Sequence, residues 1–346
     1  MVAPAPSGVS GPEAGQQPGI DMKRRRIVQA LGGVFVLGTA LQAPMVQAQT
    51  WPTKPIRIVV AFAPGGPADI AGRIVAQALQ EKLGQQVVVE NKGGAGGNIA
   101  ARLVAKDAAD GYTLLVTTSS IAVNQTLYKD PGFNVLQDFT PVSLIADSPN
   151  ILVAHSSEPA PNLKAFLQLY KGKSVSYGSA GIGSTPHLTG DNVLRVLGGL
   201  DATHIPYQGA APALQATAAN QVQVASVALP PAIPLVRSGM VKGLAVTSLK
   251  RNPSLPDVPT VAESGFPGFE DYTWVGLFGP AKLPADIATR INGIVNEALA
   301  KPQYRERLAA AGLDAKAGSS AEFGSYLGKE VTKWGGIIKQ TGVSPQ

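Results

Sequence analysis

Two glycine-rich segments of the sequence each join a short apolar run to the start of a helix, and each could bind an anion. The first spans residues 62–69, where Pro67 suits the first helical position because proline has no amide hydrogen to leave unpaired. The free amides at a helix N-terminus attract anions. An ordinary strand-to-helix turn is an equally good interpretation of this segment alone. Its candidate ligand-binding residues are Phe62, Pro64, Gly65, Gly66 and Asp69, the last a capping acid for loop amides.

The second segment, residues 178–187, repeats this arrangement in the other half of the chain. Thr185 is the predicted N-cap, with Pro186 in the first turn. His187 either contacts the ligand or, more commonly for such a residue, packs under the loop. The candidate binding residues here are Ser179, Gly181, Gly183, Ser184, Thr185 and His187. One anion loop in each half predicts two lobes that close on one acidic ligand.

The remaining motifs argue against catalysis and cofactors. The glycine loop at residues 93–97 lacks the third glycine of the dinucleotide fingerprint, and the sequence has no Gly-Lys-Ser/Thr of a P-loop, so we interpret this loop as a structural turn. No Gly-x-Ser-x-Gly, Ser-x-x-Lys or His-Glu-x-x-His occurs. With no cysteine and three histidines, there is little material for a metal site. The sequence predicts a protein that is not an enzyme and has no metal or cofactor.

The order of apolar runs predicts an α/β fold. Hydrophobic residues make up 45% of the 346 residues and charged residues only 15%, so most of the chain should bury a core. Short β-branched runs alternate with helical spacing from residue 56 to 117, and again from 175 to 247. Each half therefore predicts an open, mostly parallel sheet flanked by helices. The less regular chain at residues 119–163 and 251–274 is expected to hold the crossings between lobes, near 145–155 and 265–278.

The first 48 residues resemble an export signal rather than part of the fold. Four basic residues (23–26) precede an apolar stretch (27–41), and Val46-Gln47-Ala48 suits a cleavage site. Sec and twin-arginine export both remain open. We predict a periplasmic protein with no membrane span after cleavage. Residues 49–346 contain no basic cluster, so nucleic-acid binding is not expected.

The motifs together resemble one family, the receptors of tripartite tricarboxylate transporters, also called Bug-type solute-binding proteins. The resemblance extends over nearly all of residues 49–346. The matching segments are Pro52 to Arg73, Val88 to Lys92, Gly94 to Ile99, Ala109 to Leu115, Asp138 to Val142, Gly181 to Leu188, Pro206 to Gly209, Leu244 to Ser248 and Asp257 to Gly265.

The resemblance implies a two-lobe, type II-like periplasmic binding protein with the ligand cleft between its lobes. It implies lobe 1 at residues 49–150 and 273–346 and lobe 2 at 151–272, and it adds Ser119 and Tyr207 to the candidate site. The implied ligand is a small organic carboxylate or amino acid, and the implied partners are membrane transporter subunits, with the receptor itself a monomer. A sensor subunit that presents ligand to a membrane signalling system is the alternative.

Two departures from the family pattern bear on the ligand. Gly93 stands where the family usually has proline, a change that a loop should tolerate. Residues 223–231 are apolar and proline-rich where the family often has phenylalanine and polar residues. This stretch favours a ligand with a less polar body.

Overall fold

The computed structural model describes residues 51–341, with side chains as far as Lys339. The predicted export signal lies outside the described residues. The strands of the described chain are β1 (Ile56–Val60), β2 (Val87–Asn91), β3 (Thr113–Thr118), β4 (Phe139–His155), β5 (Ser174–Ser179), β6 (Asp201–Pro206), β7 (Val224–Ala228), β8 (Val241–Val246), β9 (Tyr272–Pro280) and β10 (Asp314–Ala315).

Helices follow most of these strands, as the α/β prediction requires. They are α1 (Pro67–Leu83), α2 (Asn98–Ala105), α3 (Ser120–Leu127), α4 (Leu163–Leu169), α5 (Thr185–Gly190), α6 (Ala210–Ala218), α7 (Leu229–Arg237), α8 (Ala285–Ala300), α9 (Pro302–Ala310) and α10 (Ser320–Thr341). A π-helical segment, Asp191–Leu197, continues α5. No helix within residues 51–341 has both the length and the apolar character needed to cross a membrane.

The strands form two mixed sheets, which define two lobes. In lobe 1, β2, β1 and β3 are parallel neighbours, and β9 runs antiparallel to β3. In lobe 2, β6, β5 and β7 are parallel neighbours. Strand β4 belongs to both sheets and is antiparallel to β9 and β10 in the first and to β7 and β8 in the second. The antiparallel pairs arise because β4 and β9 are crossing strands rather than members of βαβ units.

Strand β4 carries the chain from one lobe to the other. Residues 139–149 pair with β9, and residues 150–154 pair with β7. The chain returns from lobe 2 immediately before Tyr272, where β9 begins. The expectation of irregular chain at residues 119–163 is therefore wrong for the 17-residue β4 and for α3. Pro141, Pro149 and the bulges along β4 break the alternation of apolar and polar residues that marks a strand in sequence.

Each lobe has its own apolar core. Residues of β1, β3 and β9 with the inner faces of α1, α8 and α10 form one cluster, in which Trp274 and Tyr304 are the largest fully buried side chains. Lobe 2 has a separate cluster on each face of its sheet, one around Phe166 and Tyr177 and the other around Leu214 and Val227. Because the parallel strands of both lobes end toward each other, the loops that follow them meet between the lobes.

The C-terminal helix α10 is anchored on lobe 1. It begins in a capping box, in which Glu322 Oε2 accepts from the Ser319 amide (2.8 Å) and Ser319 Oγ accepts from the Glu322 amide (3.2 Å). Farther along, the buried Glu330 Oε2 accepts from the indole of Trp274 (2.9 Å). These bonds fix the return of the chain to lobe 1.

Candidate functional site

A small cavity lies where the loops of the two lobes meet. Its lining residues are Phe62, Gly66, Pro67, Thr118, Ala180, Ser184, Pro186, Ala210, Ala228 and Thr273. The first four come from lobe 1, Thr273 from the crossing strand β9, and the rest from lobe 2. None of these ten residues of the described chain is Lys, Arg, His, Asp or Glu. A ligand here meets apolar side chains, hydroxyl groups and backbone.

Four helices begin at this cavity, two more than the sequence predicts. Helices α1, α5 and α7 begin beside the lining residues Gly66, Ser184 and Ala228, and Ala210 is the first residue of α6. Helices α1, α6 and α7 start without a side-chain cap, but prolines in their first turns supply no amide hydrogen, so α7 offers only the Leu229 amide and α1 and α6 offer two each. Converging helix N-termini give this neutral cavity the electrostatic character of an anion site.

The hydroxyl groups of the cavity wall already have partners inside the protein. Ser184 Oγ donates to the Gly181 carbonyl (2.7 Å), Thr273 Oγ1 donates to Asn150 Oδ1 (2.8 Å), and Thr118 Oγ1 is paired with Ser120 Oγ (2.9 Å). Backbone amides are therefore the groups best placed to hold an anion.

Asp69 supports the first loop from below and does not line the cavity. It is buried, and it accepts from the Gly65 amide (3.0 Å), from Arg73 (3.1 Å) and from Asn91 (3.0 Å). Burial disfavours its charge, but the hydrogen bonds from Arg73, Gly65 and Asn91 outweigh that effect and lower the pKa of Asp69. Asp69 thus has the predicted capping role, and its carboxylate already accepts the hydrogen bond that the Gly65 amide could offer to a ligand. Gly65 and its neighbour Pro64 are exposed at the rim.

Two stacked imidazoles lie under the second loop. The rings of His187 and His204 are 4.0 Å apart between centroids. His187 Nδ1 accepts from the Gly183 amide (3.3 Å), and His204 Nε2 is 2.7 Å from Ser179 Oγ, which also accepts from the Gly181 amide. Burial lowers the pKa of His187 to about 4 and that of His204 to about 3. Both rings are neutral at neutral pH and act as hydrogen-bond partners of the loop.

The predicted N-cap of α5 is off by one residue. Ser184 is the cap and accepts from the His187 amide (3.3 Å), while Thr185 is the first helical residue. Thr185 Oγ1 instead contacts Ser119 Oγ across the cleft. The Tyr207 amide donates to the Ser179 carbonyl (3.1 Å), and its ring packs on Gly178 rather than lining the cavity.

Of the thirteen predicted site residues, the cavity brings together Phe62, Gly66 and Ser184. Sequence reasoning did not single out Pro67, Thr118, Ala180, Pro186 and Ala210 as contacts, although each is next to a residue or lies in a segment that it did consider. Ala228 falls in the apolar 223–231 stretch, whose residues Ala225 and Val227 are in the lobe 2 core. Thr273 had no sequence signal, because only the fold brings the start of β9 to the cleft.

Behind the cavity, a polar cluster joins the two crossings. Asn150 of β4 accepts from Thr273 and donates from Nδ2 to Asp271 Oδ2 (3.1 Å), which also accepts from Thr189. The Asn150 amide donates to Thr247 Oγ1 (2.7 Å). Burial raises the pKa of Asp271 to about 6, against the opposing effects of its hydrogen bonds and of Lys333.

Comparison with known proteins agrees with this architecture. Residues 71–343 match the family model described as tripartite tricarboxylate transporter family receptor. Protein BugT of Bordetella pertussis is 34% identical over 317 residues, which cover 90% of this chain and 97% of BugT. The structure of the periplasmic binding protein BugD matches with a TM-score of 0.82 and 35% identity, over 86% of this chain and all of that one.

Two other solved relatives carry carboxylates. An R. palustris protein solved with adipate matches with a TM-score of 0.82 and 34% identity, over 86% of this chain and all of that chain. MatC of Rhodopseudomonas palustris, solved with bound malate, matches with a TM-score of 0.77 and 32% identity, over 83% of this chain and all of that chain. The resemblance inferred from the sequence motifs is confirmed: this chain belongs to the tripartite tricarboxylate transporter receptor family, the Bug-type periplasmic solute-binding proteins.

Proposed function

We propose that the protein captures a small carboxylate in the periplasm and delivers it to a tripartite tricarboxylate-type membrane transporter. The observation that carries the proposal is the uncharged cavity at which four helices begin. An isolated charge is costly to bury, and oriented amides compensate that cost without a counter-ion. The adipate and malate of two relatives are ligands of the same chemical class.

The proposed ligand is a carboxylate with an apolar body. One carboxylate would lie at the helix N-termini, and Phe62, Pro186, Ala210 and Ala228 would contact the rest of the molecule. A tricarboxylate such as citrate would place further charges against these apolar side chains without a cation to pair with them. We therefore expect aliphatic or aromatic carboxylates to bind more tightly than citrate.

We further propose that lobe 1 comprises residues 49–150 and 273–346 and lobe 2 residues 151–272, that the receptor is a monomer, and that residues 22–48 direct its export. In support of the lobe division, each lobe has its own core, and β4 and the start of β9 link them. The lobes would hinge at these two links and enclose the ligand.

The direct test is calorimetry of the purified protein with adipate, malate, citrate and phenylacetate. A ligand at 100 times its Kd stabilises the folded state by about 2.7 kcal/mol, so thermal shifts provide an independent readout. The proposal predicts a measurable Kd for at least one of adipate, malate and phenylacetate. Citrate binding tenfold more tightly than the others would refute the apolar-body assignment, and no binding by any of the four would count against carboxylate capture.

A charge placed in the cavity gives a matched pair of variants. Ala228 is buried and directly precedes α7, whose second and third residues are prolines without an amide hydrogen, so neither Asp nor Asn at this position can cap the helix. Ala228→Asp and Ala228→Asn make the same change in size and differ in one negative charge, and circular dichroism checks that both variants fold. Carboxylate binding should disappear in Ala228→Asp and persist more weakly in Ala228→Asn. Equal affinities in the two variants would place the carboxylate elsewhere.

A further inference from the structure

On one side of the cavity, the two lobes meet backbone to backbone. The contact is made by residues 94–97 of lobe 1 and 181–183 of lobe 2, which we call the glycine contact. A Cβ at Gly96 would lie closer than 3.0 Å to the carbonyl oxygen of Ile182, and one at Gly183 closer than 3.0 Å to Asn124 Oδ1. A Cβ does not approach a backbone oxygen this closely, so lobe 2 requires glycine at position 96, and a Cβ at position 183 would have to displace the buried side chain of Asn124.

Two side chains at the end of α3 complete the contact from lobe 1. Tyr128 donates its hydroxyl to the Ile182 carbonyl (3.0 Å) across the cleft. Asn124 is fully buried and donates to the Gly96 carbonyl (3.1 Å) and to Asn98 Oδ1 (2.7 Å), both within lobe 1. Its Oδ1 has no hydrogen-bond partner in the described chain and faces Gly183. Asn124 therefore fixes the lobe 1 surface that receives Gly183.

The lobe 2 side of the glycine contact leads directly into the ligand cavity. Ile182 and Gly183 touch lobe 1, and the next residue, Ser184, lines the cavity and caps α5. Ser184 Oγ donates to the Gly181 carbonyl (2.7 Å). This bond links the residue that lines the cavity to the part of the loop that contacts lobe 1. The position of Ser184 and of the start of α5 in the cavity wall thus depends on how this loop packs against lobe 1.

From this geometry we infer that Asn124, Tyr128 and the glycine contact form a closure latch. The latch holds the ligand-binding loop of lobe 2 against lobe 1 when the receptor closes, so Asn124 and Tyr128 are positioning residues that do not themselves touch the ligand. The inference rests on the proposed function for its ligand, but the latch itself concerns lobe closure. The Gly93–Gly97 loop, which the sequence alone presents as a plain turn, acquires a role in closure.

A pair of glycine variants tests the latch. Gly96 and Gly84 have similar left-handed backbone angles, with φ of 60° and 68°, but a Cβ at Gly84 meets nothing within 4 Å. Gly96→Ala and Gly84→Ala should therefore carry the same backbone strain, and only the first should obstruct closure. The sequence has no cysteine, so dyes on Lys106→Cys of lobe 1 and Lys171→Cys of lobe 2, both exposed, can report closure by single-molecule energy transfer.

The closed population, with or without adipate or malate, should be lost in Gly96→Ala and retained in Gly84→Ala. Equal closed populations in the two variants would overturn the latch, as would a wild-type protein that never closes. If the wild type closes but calorimetry shows no carboxylate binding, the proposed function fails and the latch can still be judged.

A second pair removes one hydroxyl at a time. Tyr128→Phe deletes one of the hydrogen bonds between the lobes, whereas Tyr170→Phe deletes a bond within lobe 2, to Glu158 Oε2 (2.8 Å). For the carboxylate that binds the wild type best, Tyr128→Phe should accelerate dissociation about 2- to 10-fold, the factor expected for one neutral hydrogen bond. Tyr170→Phe should lower the melting temperature and leave dissociation unchanged. A wild-type dissociation rate in Tyr128→Phe would contradict the role of Tyr128.

Discussion

Replacement of Asp271 by asparagine should stabilise the protein at neutral pH. Burial raises the pKa of Asp271 from 3.8 to about 6, a difference that corresponds to about 3 kcal/mol. A raised pKa means that the folded state binds more protons between these values, so this contribution to stability is present below about pH 4 and is lost as the pH rises through 6. An uncharged asparagine side chain would avoid that loss.

The substitution should keep the hydrogen bonds that join the crossings. A single oxygen, Oδ2, accepts from both Thr189 and Asn150, and the amide oxygen of asparagine can take its place, whereas the hydrogen bond from the Tyr272 backbone to the carboxylate is weakened. Because Asp271 remains partly accessible and the attraction to Lys333 is lost, we expect a net gain of about 1–2 kcal/mol at pH 7.5, below the limit set by the raised pKa.

Urea unfolding of both proteins at pH 4.5, 6.0 and 7.5 measures this effect. The difference between Asp271→Asn and wild type should grow with pH. Asp69→Asn is the contrasting control: the pKa of Asp69 is lowered from 3.8, so its contribution to stability is present above about pH 4 and is lost only at lower pH, and the variant should be destabilised by nearly the same amount at all three pH values. An Asp271→Asn protein that is less stable than wild type at pH 7.5 would refute the reasoning.

Three further outcomes are expected. Ser184→Ala should lower the unfolding free energy by about 1 kcal/mol, because α5 loses its cap, and thermal melts against Ser238→Ala, which removes an exposed hydroxyl, provide the comparison. The ring protons of His187 should titrate in NMR with a midpoint near pH 4 rather than 6.5, and a midpoint above 6 would mean that the ring is not buried as described. Gly183→Val should leave a folded protein without measurable carboxylate binding, whereas Gly239→Val, with a similar φ and open space around it, should only lose stability.

The α/β alternation was predictable because it depends on local signals. Strands β1, β2 and β3 are short β-branched runs, and helix α1 begins at a proline and ends at Gly84 in the left-handed conformation. Strand β4 was not predictable, because its residues serve two sheets with different buried faces and so show no single alternation. Its pairing depends on contacts with β9, more than 120 residues later.

The site was predictable only in outline, because it too depends on contacts between residues that are far apart in the sequence. Local sequence showed that residues 62–69 and 178–187 begin helices, and the resemblance added Ser119 and Tyr207. It did not show that α6 and α7 begin at the same place, since neither helix has a distinctive cap and Ala210 and Ala228 are unremarkable residues. Which loop amides are already occupied, as the Gly65 amide is by Asp69, also requires the three-dimensional arrangement.

Under the proposed function, the division of the helix N-termini between the two lobes would couple anion binding to lobe closure. Helix α1 belongs to lobe 1, and α5, α6 and α7 belong to lobe 2, so the full set of dipoles surrounds a carboxylate only when the lobes are together. A ligand shifts a conformational equilibrium by its difference in affinity for the two states, and here that difference is the contribution of the second lobe. A site built on one fixed arginine would bind its anion almost as well in the open state. Under the proposed function, a neutral cavity shared by both lobes would instead couple capture of the ligand to the change of shape that a membrane transporter recognises.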